Sequence, residues 1–366
     1  MLNKISFVIL CLIFIVLTPN PSVAQTDPVG SSSVSVSFDS SYLEDYTNLL
    51  TARAFLLFQN ASLLIHPEGD NIPKLVYVPN ANLRIGVAGF WRWFGLGLSI
   101  DNPFYKTDQA AYGKTTTIDL RVNAFGRSVA GELFFQQYKG YYITSPEKPD
   151  KTHYLIPEMK TYSLGLSGYW ISNAKRFSIR AAFIQNERQK RSAGSFVLRP
   201  SFLFYHISSD HGIIPQEFVN EYHIPSSKLI SDGKFYSLGL SPGYIYTLVF
   251  LKHFYLTGAL FPGIAGQYSK YRNDLNRTTD FGFAFQLSGR FAIGYNSKNW
   301  FLGGSYQTGF NEIPDKLIQS VASYGIAQFR FWGGMRFDVF KHVPRATSWT
   351  SGISPSGASA KRASWK

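Results

Sequence analysis

The chain has 366 residues, of which 16% are aromatic and only 16% charged, and its formal net charge is +13. The single cysteine, Cys11, lies in the N-terminal apolar run, so the chain beyond that run has no disulfide, thiol chemistry or cysteine-held metal. Past the same run no apolar stretch approaches the roughly twenty residues a membrane-crossing helix needs. Yet the mean hydropathy is −0.07 beside 31 Phe and 22 Tyr, the balance produced by strands that alternate lipid-facing and lumen-facing residues.

Residues 1–24 predict a secretory signal: Lys4 is the basic start, residues 5–17 the apolar core, and Ser22-Val23-Ala24 the small-residue cleavage site. An exported basic chain is a poor nucleic-acid binder, and anionic head groups or acidic solutes suit it better. Residues 25–41 are Ser-rich and predict a flexible N-terminal segment.

From there to residue 340 the chain alternates with period two, punctuated by turns, without a break in composition. A first hairpin is expected from strands at 50–58 and 61–65 around Gln59-Asn60. Leu83, Ile85, Val87, Trp91 and Trp93 then oppose Arg84, Gly86, Ala88 and Arg92, and Ile118, Leu120 and Val122 oppose Asp119, Arg121 and Asn123. Residues 132–142 alternate more weakly. Strands are predicted at 162–170, at 177–183 (Phe177, Ile179, Ala181 and Phe183 against Ser178 and Arg180) and at 196–204. Further strands are expected at 236–248, 254–271, 280–296, 300–310 and 324–340. The run DFGFAFQLSGRFAIGYN from Asp280 is the most regular, with Phe281, Phe283, Phe285, Leu287, Phe291 and Ile293 on one face and Gln286, Ser288 and Arg290 on the other. So long an alternation exceeds the five or six residues usual in soluble sheets and suits a tilted membrane-spanning strand.

The pattern predicts an all-β fold: an antiparallel transmembrane β-barrel of about 12–14 strands over residues 42–340. Closure follows because open strand edges cannot be satisfied in lipid. Long and short links alternate properly in the C-terminal half. In the N-terminal half the long links, including 140–160, have the opposite parity, which points to one split or merged strand between Tyr162 and Tyr205. Residues 341–366 are Ser-rich and basic and predict a disordered tail.

Several stretches resemble a family of Bacteroidota outer-membrane proteins known as domain of unknown function 4421. They are YLEDYTNLLTARAFL from Tyr42, LVYVPNANLRIGVAGFWRWFGLGLS from Leu75 and YGKTTTIDLRVNAFGRSVAGELFFQQYKGYY from Tyr112. KRFSIRAAFIQNERQKRSAGSFVLRPSF from Lys175 and YSLGLSPGYIYTLVF from Tyr236 continue the likeness. The resemblance implies an outer-membrane β-barrel and no particular activity.

On the polar parity fall Arg53, Arg84, Arg92, Arg121, Arg180, Arg199, Arg290, Arg330 and Arg336, with Asp119 and Glu132. These are the expected lumen-lining residues, and Arg290 is expected to be hydrated or paired with Asp119 or Glu132. Buried guanidiniums cost several kcal/mol unless paired or hydrated, so they either form ion-pair ladders in a packed interior or line a wet path. The function expected is therefore a structural barrel or a narrow pore for small anionic solutes. The alternative is a barrel-embedded lipid or glycolipid hydrolase using His206, Ser209, Asp210 and His211 in a rim loop, the one tight cluster of acyl-transfer residue types. Lys190 and Arg191 in QKRSAGS read as a basic turn, with phosphate binding as the second reading. Trp91, Trp93, Tyr141, Tyr142, Trp170, Trp300 and Trp332 are expected in an interfacial girdle. No cofactor, metal or nucleic acid is expected. The expected partners are outer-membrane lipids, lipopolysaccharide and the barrel assembly machinery.

Overall fold

The computed structural model describes residues 38–65, 72–80, 83–105, 107–146, 148, 152–224, 230–272, 277–313 and 322–338. The expected signal, most of the flexible segment and the basic tail lie outside the described residues. The strands are β1 (Leu43–Asp45), β2 (Leu50–Ile65), β3 (Leu75–Val78), β4 (Arg84–Trp91), β5 (Phe94–Asp101), β6 (Thr116–Phe125), β7 (Val129–Ser145) and β8 (Tyr154–Ile171). They continue with β9 (Glu187–Gln189), β10 (Ala193–Ser208), β11 (Asp232–Phe250), β12 (Phe254–Arg272), β13 (Arg277–Asn296), β14 (Trp300–Ile313) and β15 (Ala322–Phe337). Three short helices, α1 (Gln109–Tyr112), α2 (Ile179–Phe183) and α3 (Gln216–Tyr222), sit in the links.

Thirteen strands form one antiparallel sheet, which closes on itself because β15 pairs with β2 along its whole length. Only β3 stands outside the simple ring. It bridges the far ends of β2 and β7, while the shorter β4, β5 and β6 fill the space between the same two strands at the near end. The barrel thus has twelve strands at the end with the short turns and ten at the end with the long links.

Side-chain parity follows the period-two pattern. On β13 every large apolar residue from Phe281 to Ile293 points out, while Gln286, Ser288 and Arg290 point in and are buried. Leu240, Ile264 and Phe285 stand abreast on β11, β12 and β13 as part of the outer apolar belt. Trp91, Trp93, Trp170 and Trp300 are exposed at the short-turn end, where an amphipathic ring suits the head-group layer. Trp332 and Tyr141 do not join this girdle, for both are buried inside. Tyr141 turns inward because β7 carries a bulge after Lys139. Gly140 sits there at φ +93° with its Hα side against the Lys114 carbonyl, which leaves no room for a Cβ. The bulge reverses parity along β7, which explains its weak alternation.

Three expectations about individual strands are corrected. The Gln59-Asn60 pair is no turn: β2 runs unbroken through it, with Gln59 buried inside and Asn60 outside. The link predicted at 140–160 is shorter, because β7 reaches Ser145 and β8 starts at Tyr154. Residues 177–183 form no wall strand. They hold α2 within an inward-folded segment, 172–192, that plugs the short-turn end. Removing that false strand restores the parity of the links, and twelve ring strands remain.

The plug is apolar where it meets the wall. Phe177, Ile179 and Ile184 pack with Phe55, Phe90, Phe125, Tyr255, Phe261 and Trp332. β9 of the plug pairs with β1, so the N-terminal strand lies against it. A second apolar cluster, with Tyr77, Tyr141, Met159, Tyr205 and Tyr324 from the wall and Ile213, Ile214 and Phe218 from the 209–224 link, fills the opposite end. Placing a charge on the outer belt tests the orientation. Phe285→Arg is expected to destabilise the barrel by about 2–4 kcal/mol, read as a lowered denaturant midpoint after refolding into lipid vesicles.

Candidate functional site

Between the two apolar stoppers lies a polar layer. Strand register sets Arg290, Gln307, Gln328 and Gln59 abreast on β13, β14, β15 and β2, all facing inward. From this row Arg290 reaches across the interior to Glu132 on β7, with Nη1 donating to Oε1 at 2.8 Å and Nη2 donating to Oε2. The Tyr169 hydroxyl on β8 also donates to Glu132 Oε2, at 2.8 Å, and lies against Arg290 Nη2. A two-pronged guanidinium–carboxylate bond of this kind is among the stronger polar contacts.

Asp119 organises a second cluster. Arg121 Nε lies 3.1 Å from its Oδ1, Arg84 Nη1 3.4 Å from its Oδ2, and Gln136 Nε2 donates to Oδ2 at 2.8 Å. Arg121 also donates to Gln59 Oε1 at 3.3 Å, which joins this cluster to the amide row. Arg199, Arg53 and Arg330 form no ion pair with a carboxylate of the described residues. Arg199 Nη2 donates to Ser167 Oγ at 2.8 Å. Arg53 Nη1 donates to the Phe183 carbonyl at 2.8 Å and to Gln185 Oε1 at 3.2 Å, both in the plug. Arg330 lies over the Phe55 ring at 4.9 Å and makes no hydrogen bond to any described residue. Arg53, Arg121, Arg199, Arg290 and Arg330, with Asp119 and Glu132, line a cavity of about 150 Å³, and a smaller one of about 60 Å³ is lined in part by the plug residues Phe183 and Ile184.

Two arginines expected in the lumen lie elsewhere. Arg92 occupies the turn between β4 and β5, exposed, with φ +52° and its guanidinium on the Trp91 ring. A tight turn breaks the period-two rule that had placed it inside. Arg180 belongs to α2 and is buried in the plug, where Nη1 lies 3.1 Å from Glu187 Oε1 and Nη2 donates to the Phe125 carbonyl. Glu187 also takes Arg127 at 3.1 Å, so one buried carboxylate latches the plug to itself and to the β6–β7 turn. Arg336 holds the plug from the other side, with Nε donating to the Gln185 carbonyl at 2.9 Å and Nη2 to Asn296 Oδ1 at 2.6 Å. It also lies over Tyr46, whose hydroxyl burial pushes up to about 12. Arg127, Gln185 and Glu187 escaped sequence reasoning, since their surroundings read as turns and no periodicity marked them.

The residues of the hydrolase alternative are not brought together. His206 Nε2 meets Asp232 Oδ2 at 2.7 Å and stacks on Tyr162. His211 is exposed and lies 3.5 Å from Glu158. Ser209 is buried with its hydroxyl unpartnered, and Asp210 is exposed. No hydroxyl is hydrogen-bonded to either histidine among the described residues, and no group there has the makings of a metal site. Lys190 donates from Nζ to the Ser40 carbonyl at the outlet of the plug.

The cross-barrel pair generates a stability prediction. Arg290→Leu leaves Glu132 buried without its guanidinium and is expected to lose about 3–5 kcal/mol. Adding Glu132→Leu is expected to recover most of that loss. Denaturant midpoints of the refolded single and double variants check both values.

Among solved structures, the chain is similar to the outer membrane protease OmpT from Escherichia coli, at 10% identity over 79% of this chain and 96% of that one, with a TM-score of 0.32. It is also similar to the translocator domain of the autotransporter NalP from Neisseria meningitidis, at 9% identity over 78% and 88% of the two chains and a TM-score of 0.33. Ail, the attachment invasion locus protein of Yersinia pestis, covers 78% of this chain and 99% of its own at 9% identity and a TM-score of 0.23. At these values none of them bears on what this chain does. No curated protein matches it. The model of one family, described as Domain of unknown function (DUF4421), matches residues 37–337, well over half of the chain, and the chain belongs to that family.

Proposed function

We propose that this protein is an outer-membrane β-barrel that stands in the membrane as a closed, non-conducting body. The observation that carries this reading is the double stopper: the 172–192 plug at one end and the aromatic cluster under the 209–224 link at the other, with the polar layer between them. A steady pore needs a continuous wet path. Here the wet part is a pocket. Of the two roles expected from the sequence, the structural barrel is favoured over the open anion pore.

The short turns lie with the N-terminal strand at the plugged end, the sidedness of barrels whose short turns face the periplasm. Lipids and lipopolysaccharide would meet the outer apolar belt, and the barrel assembly machinery would insert the exported chain. The hydrolase alternative has little support, because acyl transfer needs a serine within reach of a histidine oriented by an acid. His206 has the acid, and no serine among the described residues is hydrogen-bonded to it.

Planar-bilayer recording tests the reading. The wild type is expected to show no steady current. Glu187→Ala, which frees Arg180 and Arg127 from their shared carboxylate, is expected to produce intermittent, anion-preferring openings. Steady conductance of the wild type would refute the closed barrel. Lipid hydrolysis abolished by His206→Ala would instead favour the enzyme.

A further inference from the structure

We infer that the central chamber is a binding site for one small free oxyanion of the phosphate or sulfate type, held by Arg53, Arg199, Arg290 and Arg330. The inference rests on the closed interior proposed above and adds an occupant to it.

The first support is charge. Five guanidiniums, of Arg53, Arg121, Arg199, Arg290 and Arg330, line the cavity against two carboxylates, Asp119 and Glu132, an excess of three positive charges. Both carboxylates are already committed: Glu132 to Arg290 and Tyr169, Asp119 to Arg84, Arg121 and Gln136. Enclosed like charges of this density raise the interior potential and favour an anion.

The second support is the set of donors. The Nε atoms of Arg53, Arg199, Arg290 and Arg330 are all buried and have no acceptor among the described residues. They come from four strands, β2, β10, β13 and β15, and all line the same chamber. Buried donors without acceptors are few in folded proteins, and each one calls for an explanation. Orphan guanidinium atoms also occur on Arg84, Arg127, Arg180 and Arg188 away from the chamber, so the weight falls on Arg330, which lines the chamber and makes no hydrogen bond to any described residue. A guanidinium fork matches a flat pair of oxygens, which phosphate, sulfate and carboxylate present and a halide does not.

Size and access narrow the class. The cavity of about 150 Å³ has room for a tetrahedral oxyanion with waters around it. The stoppers leave a nucleotide or a lipid head group with its chains no way in, so the source is a free anion from solution that enters when the plug moves.

The test uses the full-length protein in detergent, freed of phosphate in a chloride buffer and then titrated with inorganic phosphate or with sulfate at matched ionic strength. Thermal unfolding and the phosphate released per chain on denaturation are measured. The expected result is a rise in Tm with phosphate or sulfate over chloride, and close to one phosphate released per chain. Arg330→Met removes a like charge without stranding a carboxylate, so it is expected to fold; it should weaken the anion effect at least tenfold. Arg53→Gln should weaken it similarly. A wild type that responds to phosphate and sulfate no more than to chloride, or an Arg330→Met variant with undiminished response, overturns the site. A conducting wild type that still binds phosphate removes the closed reading and keeps the site. A non-conducting wild type that binds none removes the site alone.

Discussion

The structure depends on how a closed barrel compensates charge in an interior that it shuts off from solvent. Arg290 on β13 and Glu132 on β7 stand five places apart in a ring of twelve, nearly opposite each other, and bond across the full width. Once the outer face is given to lipid, the inner face inherits every polar residue of the alternation. Those residues are tolerable only if they are paired or hydrated, and the Arg290–Glu132 pair spans the width that twelve strands set. Gln307, Gln328 and Gln59 extend that pair into a row, and Arg121 ties the row to Asp119. The layer works as a brace.

The two stoppers are built differently. At the loop end the seal comes mainly from the wall itself, through inward tyrosines, with the 209–224 link docked on them. At the turn end it comes from a segment spliced between β8 and β10, held by Glu187, Arg336 and Arg53 and backed by β1. A seal made of wall residues can open only if strands part. One made of a separate segment, packed on the wall by apolar contacts and tied by polar bonds, can shift while the strand pairing of the barrel stays intact.

How much of this was legible in the sequence varied with the environment of each residue. β13 could be read residue by residue, because lipid on one face and packed polar groups on the other impose one rule along its whole length. FSIRAAF, from Phe177, obeys the same alternation by accident: its residues are apolar because the plug buries them on most sides, and α2 is too short for a helical period to show. A single bulge at Gly140 sufficed to send Tyr141 inward, and a tight turn put Arg92 outside. The arginines of the polar layer were visible by parity. Asp119 and Glu132 were visible as its candidate carboxylates; which of the two takes Arg290 was not, because Glu132 and Arg290 are 158 positions apart and only the curvature of the wall brings them together.

The substitution of β3 for β4, β5 and β6 has a consequence outside the protein. β4 and β5 are eight residues long and β6 ten, whereas β13 has twenty. Eight residues measure about 27 Å along a strand and, with the usual tilt, roughly 20 Å across the membrane, less than the apolar band of about 25 Å common to such barrels. Above that low sector the wall continues as the four-residue β3 and as chain stitched together by Asn80, whose side chain donates to the carbonyls of Asp108 and Gly113. Lipid beside this sector faces a lower apolar wall than lipid beside β13, and a membrane meets such a mismatch by thinning locally. A bilayer that follows this wall would be thinner on one flank of the barrel than on the other.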